Sequence, residues 1–399
     1  MSGMLNTKSN SLESLKNKTL LILTPSYANE DESFIAEMFV KHQIAEIKQY
    51  FKKIIVIAPV LRSFGYLKKD RLCKDYTYDN VEVYYPRCIY IPTFRMSRIL
   101  IDNRLRGAER CIEDHRLNFD LIHAHFTWPS GYIGVRLKEK YGKPVITTIH
   151  ENGNWFDQEL EMNHALINTA WSGANALIRV NRKDIPVLQR HNTCVYTIPN
   201  GFSPAFHPLD TAVARERLGL PGGPKIIFTL GNLIKRKGFN YLIGAMQQVC
   251  DHRDDVFCFI GGAGPERERL QGQIDRLHLG ERVKLLGSVP GDTLPLWMNA
   301  CDIFVLPSLS ESFGVVQIEA LACGKPVVSA RNRGSEEIIT SDAYGLLVEP
   351  SNSGDLADKI LVALNHEWDR EVIVRYADRY TWENIAKEII DVYVRSGAV

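Results

Sequence analysis

Residues 301–319, CDIFVLPSLSESFGVVQIE, join a short apolar strand to the start of a helix through a turn that contains Gly314. Glycine has no side chain to restrict this turn, and the residues after it predict a helix over 315–322. The same order of strand, glycine-containing turn and helix recurs at KIIFTLGNLIKRKGFNYLI (225–243) and IGGAGPERERL (260–270). Short apolar strands that alternate with helices are typical of a parallel α/β architecture.

The chain has 399 residues, which is too long for one ordinary hydrophobic core, so two domains are expected. The stretch IPNGFSPAFHPLD (198–210) contains three prolines and no helical period, which indicates a linker. We predict domains over 1–199 and 200–378, and a terminal helix over 379–399 that packs back on the N-terminal domain. Each domain is expected to be a doubly wound, Rossmann-like sheet, and the two should face each other across a cleft.

The alternation of short apolar runs with amphipathic segments predicts the individual elements. In the first half the predicted strands are 19–24, 54–58, 81–85, 120–124, 144–149, 176–179 and 195–199. The predicted helices there are 32–50, 98–116, 129–141, 159–172 and 182–190. In the second half the predicted strands are 225–231, 256–261, 283–286, 303–306, 326–329 and 346–348.

The composition indicates a globular protein of a reducing compartment. The longest apolar runs are far shorter than the roughly 20 residues that span a bilayer. Residues 1–18 are polar and lack the hydrophobic core of a secretion signal. The eight cysteines form no C-x-x-C pair and no cluster with zinc spacing. We therefore expect a cytoplasmic protein with free thiols.

Positive charge is concentrated in residues 52–110, which hold 13 Lys and Arg against 6 Asp and Glu. Within this segment IPTFRMSRILIDNRLRGAER (91–110) interleaves arginines with apolar residues, as a basic amphipathic helix does. Two interpretations stay open. The segment is a solvated face, or it attracts phosphate or the anionic lipid of the inner membrane face.

Two carboxylates flank the turn of the opening stretch. A helix N-terminus beside a glycine binds anions, because its free N–H groups and its dipole both favour negative charge. Glu311 precedes this turn, so it should lie near whatever the anion carries. Glu319 lies about one and a half helical turns further on and can accept two hydrogen bonds, which suits a vicinal diol such as a ribose.

A second anion-binding feature is the run Lys235, Arg236 and Lys237, which follows the first strand of the second half. Cations at this place in a nucleotide-binding type of domain are expected to meet phosphates. The turn at 260–270 is glycine-rich, but it does not follow the G-x-G-x-x-G pattern of dinucleotide binding. It favours close backbone approach to a nucleotide over the binding of NAD, and a dehydrogenase is rejected.

Together these motifs resemble the family-4 retaining glycosyltransferases of the GT-B fold. The resemblance covers about residues 20–395 and is strongest over 225–350. It depends on the glutamate pair of ESFGVVQIE and on a set of weaker motifs. These are GNLIKRKG (231–238), LGSVP (286–290), DIFVLPS (302–308), ACGKPVV (322–328) and TWENIAKEI (381–389).

The resemblance implies a donor site in the second domain, which would bind a nucleotide sugar such as a UDP- or GDP-sugar. Glu311 would hold hydroxyls of the donor sugar, Glu319 would bind the ribose, and Lys237 would neutralise the diphosphate. The family usually has arginine where this chain has Asn232, which makes Arg236 the candidate substitute. The remaining donor-binding candidates are Asn232 itself and the backbone positions Gly262, Phe313, Gly314 and Val315.

The first half supplies the acceptor-side candidates. In FDLIHAHF (119–126) two histidines share one face of a strand, and the resemblance places the second, His125, near the transferring sugar. His150 and Glu151 end another strand and are expected to face the acceptor. The loop after the first strand lacks the Gly-Gly pair of many relatives, which leaves Ser33 and Phe34 as loop candidates.

The resemblance implies a retaining hexosyltransferase of polysaccharide, glycan or glycolipid synthesis that needs no cofactor and no metal. No third ligand accompanies the two histidines and no D-x-D is present. The acceptor would be a hydroxyl of a glycan or lipid-linked molecule; nucleic acid is not expected as a partner. Two alternatives stay open: a sugar-nucleotide epimerase of the same two-domain fold, or a nucleotide-sugar-binding protein without turnover.

Overall fold

A computed structural model of the chain describes residues 13–34, 36–62, 73–89 and 98–397. The chain divides into two compact units. Unit 1 comprises Met1–Pro199 with Trp382–Val399, and unit 2 comprises Asn200–Thr381. Each described unit is built around its own sheet of mostly parallel strands.

Unit 1 contains an eight-stranded sheet in the order β10-β9-β8-β7-β1-β2-β5-β4, which is parallel except where β4 pairs with β5. Two short strands, β3 and β6, pair in parallel as a separate two-stranded sheet. Its strands are β1 Thr19–Leu23, β2 Lys53–Ile57, β3 Val60–Arg62, β4 Tyr76–Tyr78, β5 Val81–Tyr84, β6 Arg87–Ile89, β7 Leu121–His125, β8 Val145–Ile149, β9 Ala176–Arg179 and β10 Val195–Thr197. Its helices include Met38–Ile47, Arg98–Asp114, Tyr132–Tyr141, Gly153–Met162, Ala165–Gly173, Ile185–Leu188 and Trp382–Arg395.

The core of unit 1 has two layers because successive side chains of a strand point to opposite faces of the sheet. In β1, Leu20 and Ile22 pack into one layer, whereas Leu21 and Leu23 pack into the other. The terminal helix Trp382–Arg395 contributes Trp382, Ile385, Ile389 and Tyr393, among others, to the first layer. Residues far apart in the sequence therefore share one hydrophobic core.

Unit 2 contains a six-stranded parallel sheet in the order β13-β12-β11-β14-β15-β16. This order is that of a doubly wound nucleotide-binding sheet, with its switch point between β11 and β14. The strands are β11 Lys225–Leu230, β12 Val256–Gly261, β13 Val283–Gly287, β14 Ile303–Leu306, β15 Val327–Ala330 and β16 Gly345–Val348. The helices are Thr211–Leu218, Phe239–His252, Arg267–Arg276, Leu294–Ala300, Val315–Ala322, Arg333–Ile338, Ser353–Asn365 and Arg370–Ala377.

Several predicted boundaries in unit 1 are wrong. The helix predicted over 32–50 begins only at Met38, because Asn29, Asp31 and Ser33 bind one another in a loop before it. The helix predicted over 159–172 is two helices, since Asn163 adopts a left-handed conformation (φ 41°) and ends the first of them. The strands β3, β4 and β6 were not predicted. Each has three residues, too few for a hydrophobic period to be visible.

Candidate active site

In unit 2 the charged residues gather at the switch point of the sheet, where β11 and β14 end side by side. Ligands of doubly wound sheets bind beyond the carboxyl ends of such strands. Gly238 permits the two loops to meet, because it has φ 68° and a Cβ there would lie 2.1 Å from the Pro307 carbonyl oxygen. The Leu309 amide donates to the Arg236 carbonyl oxygen at 2.8 Å. The loop with the cations is therefore fixed against the loop that precedes Glu311.

Two cations converge on the Glu311 carboxylate. Lys237 Nζ lies 2.5 Å from Oε1 and Arg236 Nη1 lies 3.4 Å from Oε2. The Arg236 guanidinium also donates to the Ser310 carbonyl oxygen. Burial raises the pKa of Glu311, but Lys237 and Arg236 lower it by more than burial raises it. The pKa of Glu311 therefore lies below its usual value. Glu311 is therefore ionised at neutral pH, and we call these three residues the ionic cluster.

The helix Val315–Ala322 begins directly after the ionic cluster, as predicted. Its N-cap is Gly314, which has φ 88° and no side chain to cap the first turn. Phe313 is fully buried and its ring packs 5.6 Å from the ring of Tyr380, so only its backbone is available to a ligand. The first N–H groups of this helix favour an anion, and the two cations of the ionic cluster exceed its one carboxylate by a single positive charge.

Glu319 lies on the same helix and is half-buried. Among the described residues its carboxylate has no hydrogen-bond or ion-pair partner, and burial is the sole cause of its pKa shift. Burial raises the pKa of Glu319 to about 8, because no nearby cation compensates the cost of removing the charge from water. A half-buried carboxylate that no described side chain pairs is free to accept hydrogen bonds from a ligand, and a perturbed pKa of this kind is common at binding sites.

Asn232 and Gly262, the two other predicted donor-binding positions, have structural roles in the loops after β11 and β12. Asn232 is exposed, and its carbonyl oxygen accepts from the Ile234 amide at 2.8 Å. Gly262 has φ 133°, and a Cβ there would lie 1.9 Å from the Gly231 carbonyl oxygen. The loops after β11 and β12 therefore require glycine at 262 for their packing alone. Contact of either residue with a donor stays a prediction.

In unit 1, His125 is the last residue of β7, and His150 directly follows the neighbouring strand β8. His125 Nδ1 lies 3.0 Å from His150 Nε2, and both residues are buried. The outer nitrogens, His125 Nε2 and His150 Nδ1, are also buried and have no partner among the described residues. Burial, with the neighbouring His123, places the pKa of each well below the usual histidine value, so both rings are neutral at pH 7. We call these two residues the histidine pair.

His123, which precedes the pair on β7, is fully partnered. Its Nδ1 lies 2.6 Å from the Tyr393 hydroxyl and its Nε2 lies 2.7 Å from Thr148 Oγ1. Burial lowers the pKa of His123 to about 3, so this ring is also neutral. Tyr393 lies 270 residues away in the sequence, and no sequence motif indicated its contact with β7.

The remaining acceptor-side candidates have structural partners. Glu151 Oε1 accepts from the Thr127 amide at 2.8 Å and so holds the turn after β7, while burial raises the pKa of this carboxyl. The Ser33 hydroxyl donates to Asp31 Oδ1 at 2.7 Å, and the Phe34 amide donates to Asn29 Oδ1 at 2.8 Å. The structure thus ties Ser33 and Phe34 to their own loop, and contact with an acceptor stays a prediction.

Neither a metal-binding cluster nor a membrane-spanning helix is found in the part of the chain that the structure describes. Among residues 13–34, 36–62, 73–89 and 98–397, no group of three or more His, Cys, Asp or Glu side chains is arranged to hold a metal ion. Over the same ranges, no helix is both long and apolar enough to cross a membrane.

Both units match known protein families. Residues 210–380 match the family described as glycosyl transferases group 1, and residues 65–206 match glycosyltransferase family 4. An uncharacterized glycosyltransferase of Methanocaldococcus jannaschii is 30% identical over 294 residues, which cover 69% of this chain and 75% of that protein. A D-inositol 3-phosphate glycosyltransferase of Catenulispora acidiphila is 30% identical over 70% of this chain and 71% of its own length.

Solved structures share the fold. The sucrose-phosphate synthase of Thermosynechococcus elongatus has a TM-score of 0.79 at 22% identity and covers 96% of this chain and 100% of its own. Anabaena HepE in complex with UDP-glucose has a TM-score of 0.71 at 21% identity and covers 95% of this chain and 100% of its own. The prediction of a GT-B fold with two Rossmann-like domains is confirmed. The chain belongs to the family-4 glycosyltransferases of the GT-B fold and is a transferase of glycosyl groups.

Proposed function

We propose that the protein is a retaining glycosyltransferase that moves a sugar from a nucleoside diphosphate sugar to a hydroxyl acceptor. The observation that carries the proposal is the ionic cluster at the N-terminus of the helix Val315–Ala322, together with the unpartnered carboxylate of Glu319 on that helix. The UDP-glucose complex of the structurally similar HepE supports a nucleotide sugar as donor.

In this proposal the diphosphate lies at the helix N-terminus and contacts Lys237 and Arg236. These cations and the helix dipole offset the charge that develops on the leaving diphosphate, so that no metal is required. Glu311 accepts hydrogen bonds from hydroxyls of the donor sugar, and its ion pairs keep it charged for this role. Glu319 accepts hydrogen bonds from the ribose.

The proposed route to retention follows from the family resemblance. The departing diphosphate guides the acceptor hydroxyl to the face of the sugar that it leaves, so the anomeric configuration is kept. His125 is the proposed contact for the transferring sugar. We propose a glycan or lipid-linked acceptor in polysaccharide or glycolipid synthesis, and a cytoplasmic location for a chain whose eight cysteines are all free thiols.

The test is incubation of the pure protein with a panel of UDP- and GDP-sugars, with and without candidate acceptor hydroxyls. A glycosyltransferase releases free nucleotide in an acceptor-dependent manner, and proton NMR of the product shows the anomeric configuration of the donor. An epimerised nucleotide sugar would instead support the epimerase. Binding without either product would support a nucleotide-sugar-binding protein.

Arg236→Ala is expected to weaken nucleoside diphosphate binding by roughly tenfold or more, the equivalent of one charge-assisted hydrogen bond. The guanidinium is only 26% exposed and is already held beside Glu311, so it is well placed to take the role of the family's arginine. Isothermal titration calorimetry with UDP and GDP measures the effect, with Asn232→Ala as the matched control. An unchanged affinity in the Arg236 variant and a loss in the Asn232 variant would contradict this assignment.

A second proposal concerns the basic segment. Its helix Arg98–Asp114 exposes Arg98, Arg106 and Arg110, and Ile99 on the same helix is 54% exposed. Leu100 and Ile101 are buried in the core instead, which explains those apolar positions without a membrane. The residues 91–97 of the predicted amphipathic stretch lie outside the described residues. We propose that the exposed arginines bind anionic lipid beside the inserted Ile99 side chain.

Vesicles of anionic lipid are expected to retain the protein in co-sedimentation at low salt and to release it at high salt, since the Debye length shrinks with ionic strength. Vesicles of neutral lipid are the control. The triple change Arg98→Gln, Arg106→Gln and Arg110→Gln should abolish retention. Failure of anionic vesicles to retain the wild-type protein at low salt would show that the segment is a solvated face.

A further inference from the structure

The histidine pair has a property that neither residue has alone. Two neutral imidazoles carry two N–H protons on four nitrogens. One of these protons lies in the hydrogen bond between His125 Nδ1 and His150 Nε2, which are 3.0 Å apart. The ring that accepts this bond must carry its own proton on its outer nitrogen. The ring that donates it must have a bare outer nitrogen.

Only two arrangements satisfy this count. If His125 donates to His150, then His125 Nε2 is an acceptor and His150 Nδ1 is a donor. If His150 donates to His125, the two outer nitrogens exchange these roles. In both arrangements one outer nitrogen donates and the other accepts, so the hydrogen-bonding character of His125 toward a ligand depends on His150.

The surroundings of the pair keep it in the neutral form that this count requires. The rings of Phe39 and Phe126 lie 4.6 and 5.1 Å from the ring of His150, and the ring of His123 stacks 4.4 Å from that of His125. Both pKa values lie well below the usual histidine value, mainly because of burial. The titratable or charged groups around the pair are His123 on β7, Arg179 at the end of β9, and Glu151, which follows His150.

Both outer nitrogens are buried without a partner among the described residues. A buried polar atom that stays unpaired costs about 1–3 kcal/mol, so a pair of them at the ends of two neighbouring strands indicates a site for a ligand. A sugar hydroxyl can both donate and accept a hydrogen bond, and a molecule with several hydroxyls can satisfy one donor and one acceptor together.

We propose that His125 and His150 act as one coupled unit, in which His150 is a positioning residue whose own tautomer sets the tautomer of His125. The unit offers one donor and one acceptor to hydroxyl groups of the reactants. This proposal rests on the proposed function for the identity of the reactants, but the coupling between the rings does not depend on turnover. In this proposal His150 acts through His125 and not as a separate acceptor-binding residue.

NMR of protein labelled with ¹⁵N-histidine tests the coupling directly. We expect a ¹⁵N–¹⁵N coupling across the hydrogen bond between His125 Nδ1 and His150 Nε2, and opposite protonation of the two outer nitrogens. His125→Gln and His150→Gln assign the signals. Absence of this coupling in the folded wild-type protein, or the same protonation at both outer nitrogens, would overturn the proposal whatever the activity of the enzyme.

Kinetics then test the consequence. His150→Leu removes the partner of His125 and is expected to lower kcat roughly tenfold or more with little change in the donor KM, the pattern of an interaction that acts in the transition state. His150→Gln can still reach His125 Nδ1 with its amide and is expected to recover most of that loss. If His150→Leu folds and retains wild-type kcat, or if His150→Gln recovers none of the loss, the positioning role is wrong.

Tyr393→Phe is the matched control, because it shows how much the loss of a buried hydrogen bond outside the histidine pair changes stability and kcat. It removes the hydroxyl that lies 2.6 Å from His123 and leaves the histidine pair intact. We expect lower thermal stability, an unchanged coupling between His125 and His150, and kcat within about twofold of wild type. An equal loss of kcat in Tyr393→Phe and His150→Leu would show that kcat reports only loss of packing. A coupling without any transferase activity would contradict the proposed function and leave the coupled pair in place.

Discussion

Glu311→Ala is expected to lower sugar transfer at least about tenfold while nucleoside diphosphate binding is kept or becomes tighter. The carboxylate neutralises Lys237 and Arg236 in the free protein, at 2.5 and 3.4 Å. Its removal leaves two cations for the diphosphate and takes away the proposed partner of the sugar hydroxyls. Steady-state transfer and calorimetry with the free nucleotide measure the two effects separately. Glu311→Gln keeps the size of the side chain and separates loss of charge from loss of packing.

Lys237→Ala is the control for Glu311→Ala. It should weaken nucleoside diphosphate binding, whereas Glu311→Ala should keep or tighten it. It also leaves the largely buried carboxylate of Glu311 without its nearest cation, so the pKa of Glu311 should rise and stability should fall by about 1–3 kcal/mol. If Glu311→Ala retained wild-type transfer, the proposed contact with the sugar would be wrong. If both variants lost nucleotide binding equally, the cluster would act only on the diphosphate.

Glu319→Ala is expected to lower transfer at least about tenfold through weaker binding of the nucleotide ribose. Glu319 has no partner within the described residues, so its loss should not unfold the protein. Nucleotides that lack the 2′- or 3′-hydroxyl test the contact, since the variant and wild type should bind the relevant deoxynucleotide with similar affinity. An equal loss of affinity for nucleotides with and without these hydroxyls would exclude the ribose contact.

The pKa of Glu319 gives this prediction a second measurement. The folded-state pKa of about 8 lies above the usual value of a glutamate, so the folded protein holds a proton that the unfolded chain releases between these pH values. The unfavourable contribution of Glu319 to stability therefore grows as pH rises through this window and is complete above about pH 8. Glu319→Gln should be more thermally stable than wild type at pH 9, with a smaller difference at pH 5. If Glu319→Gln and wild type differed in thermal stability by the same amount at pH 5 and pH 9, the pKa of Glu319 would not be raised in the folded protein.

Much of the fold could be predicted from the sequence because hydrophobic period and glycine position are local properties. The helix Val315–Ala322 and the strands of unit 2 lie where these patterns predict them, within one or two residues. The short strands β3, β4 and β6 could not be predicted, because their pairing partners stabilise them and three residues carry no usable period. The break at Asn163 was also missed, since a left-handed residue inside a helical pattern depends on the packing of both flanking helices.

The sequence by itself determined the family and the types of chemical group at the candidate site, because these follow from motifs a few residues long. Only the tertiary structure decided which groups meet. Lys237 and Glu311 are 74 residues apart, His125 and His150 are 25 apart, and His123 and Tyr393 are 270 apart. Parallel strands end at the same edge of a sheet, so the first two pairs meet there, whereas Tyr393 reaches β7 because the terminal helix packs into the core of unit 1. Burial at that edge then sets whether each group is charged, which no linear pattern of residues specifies.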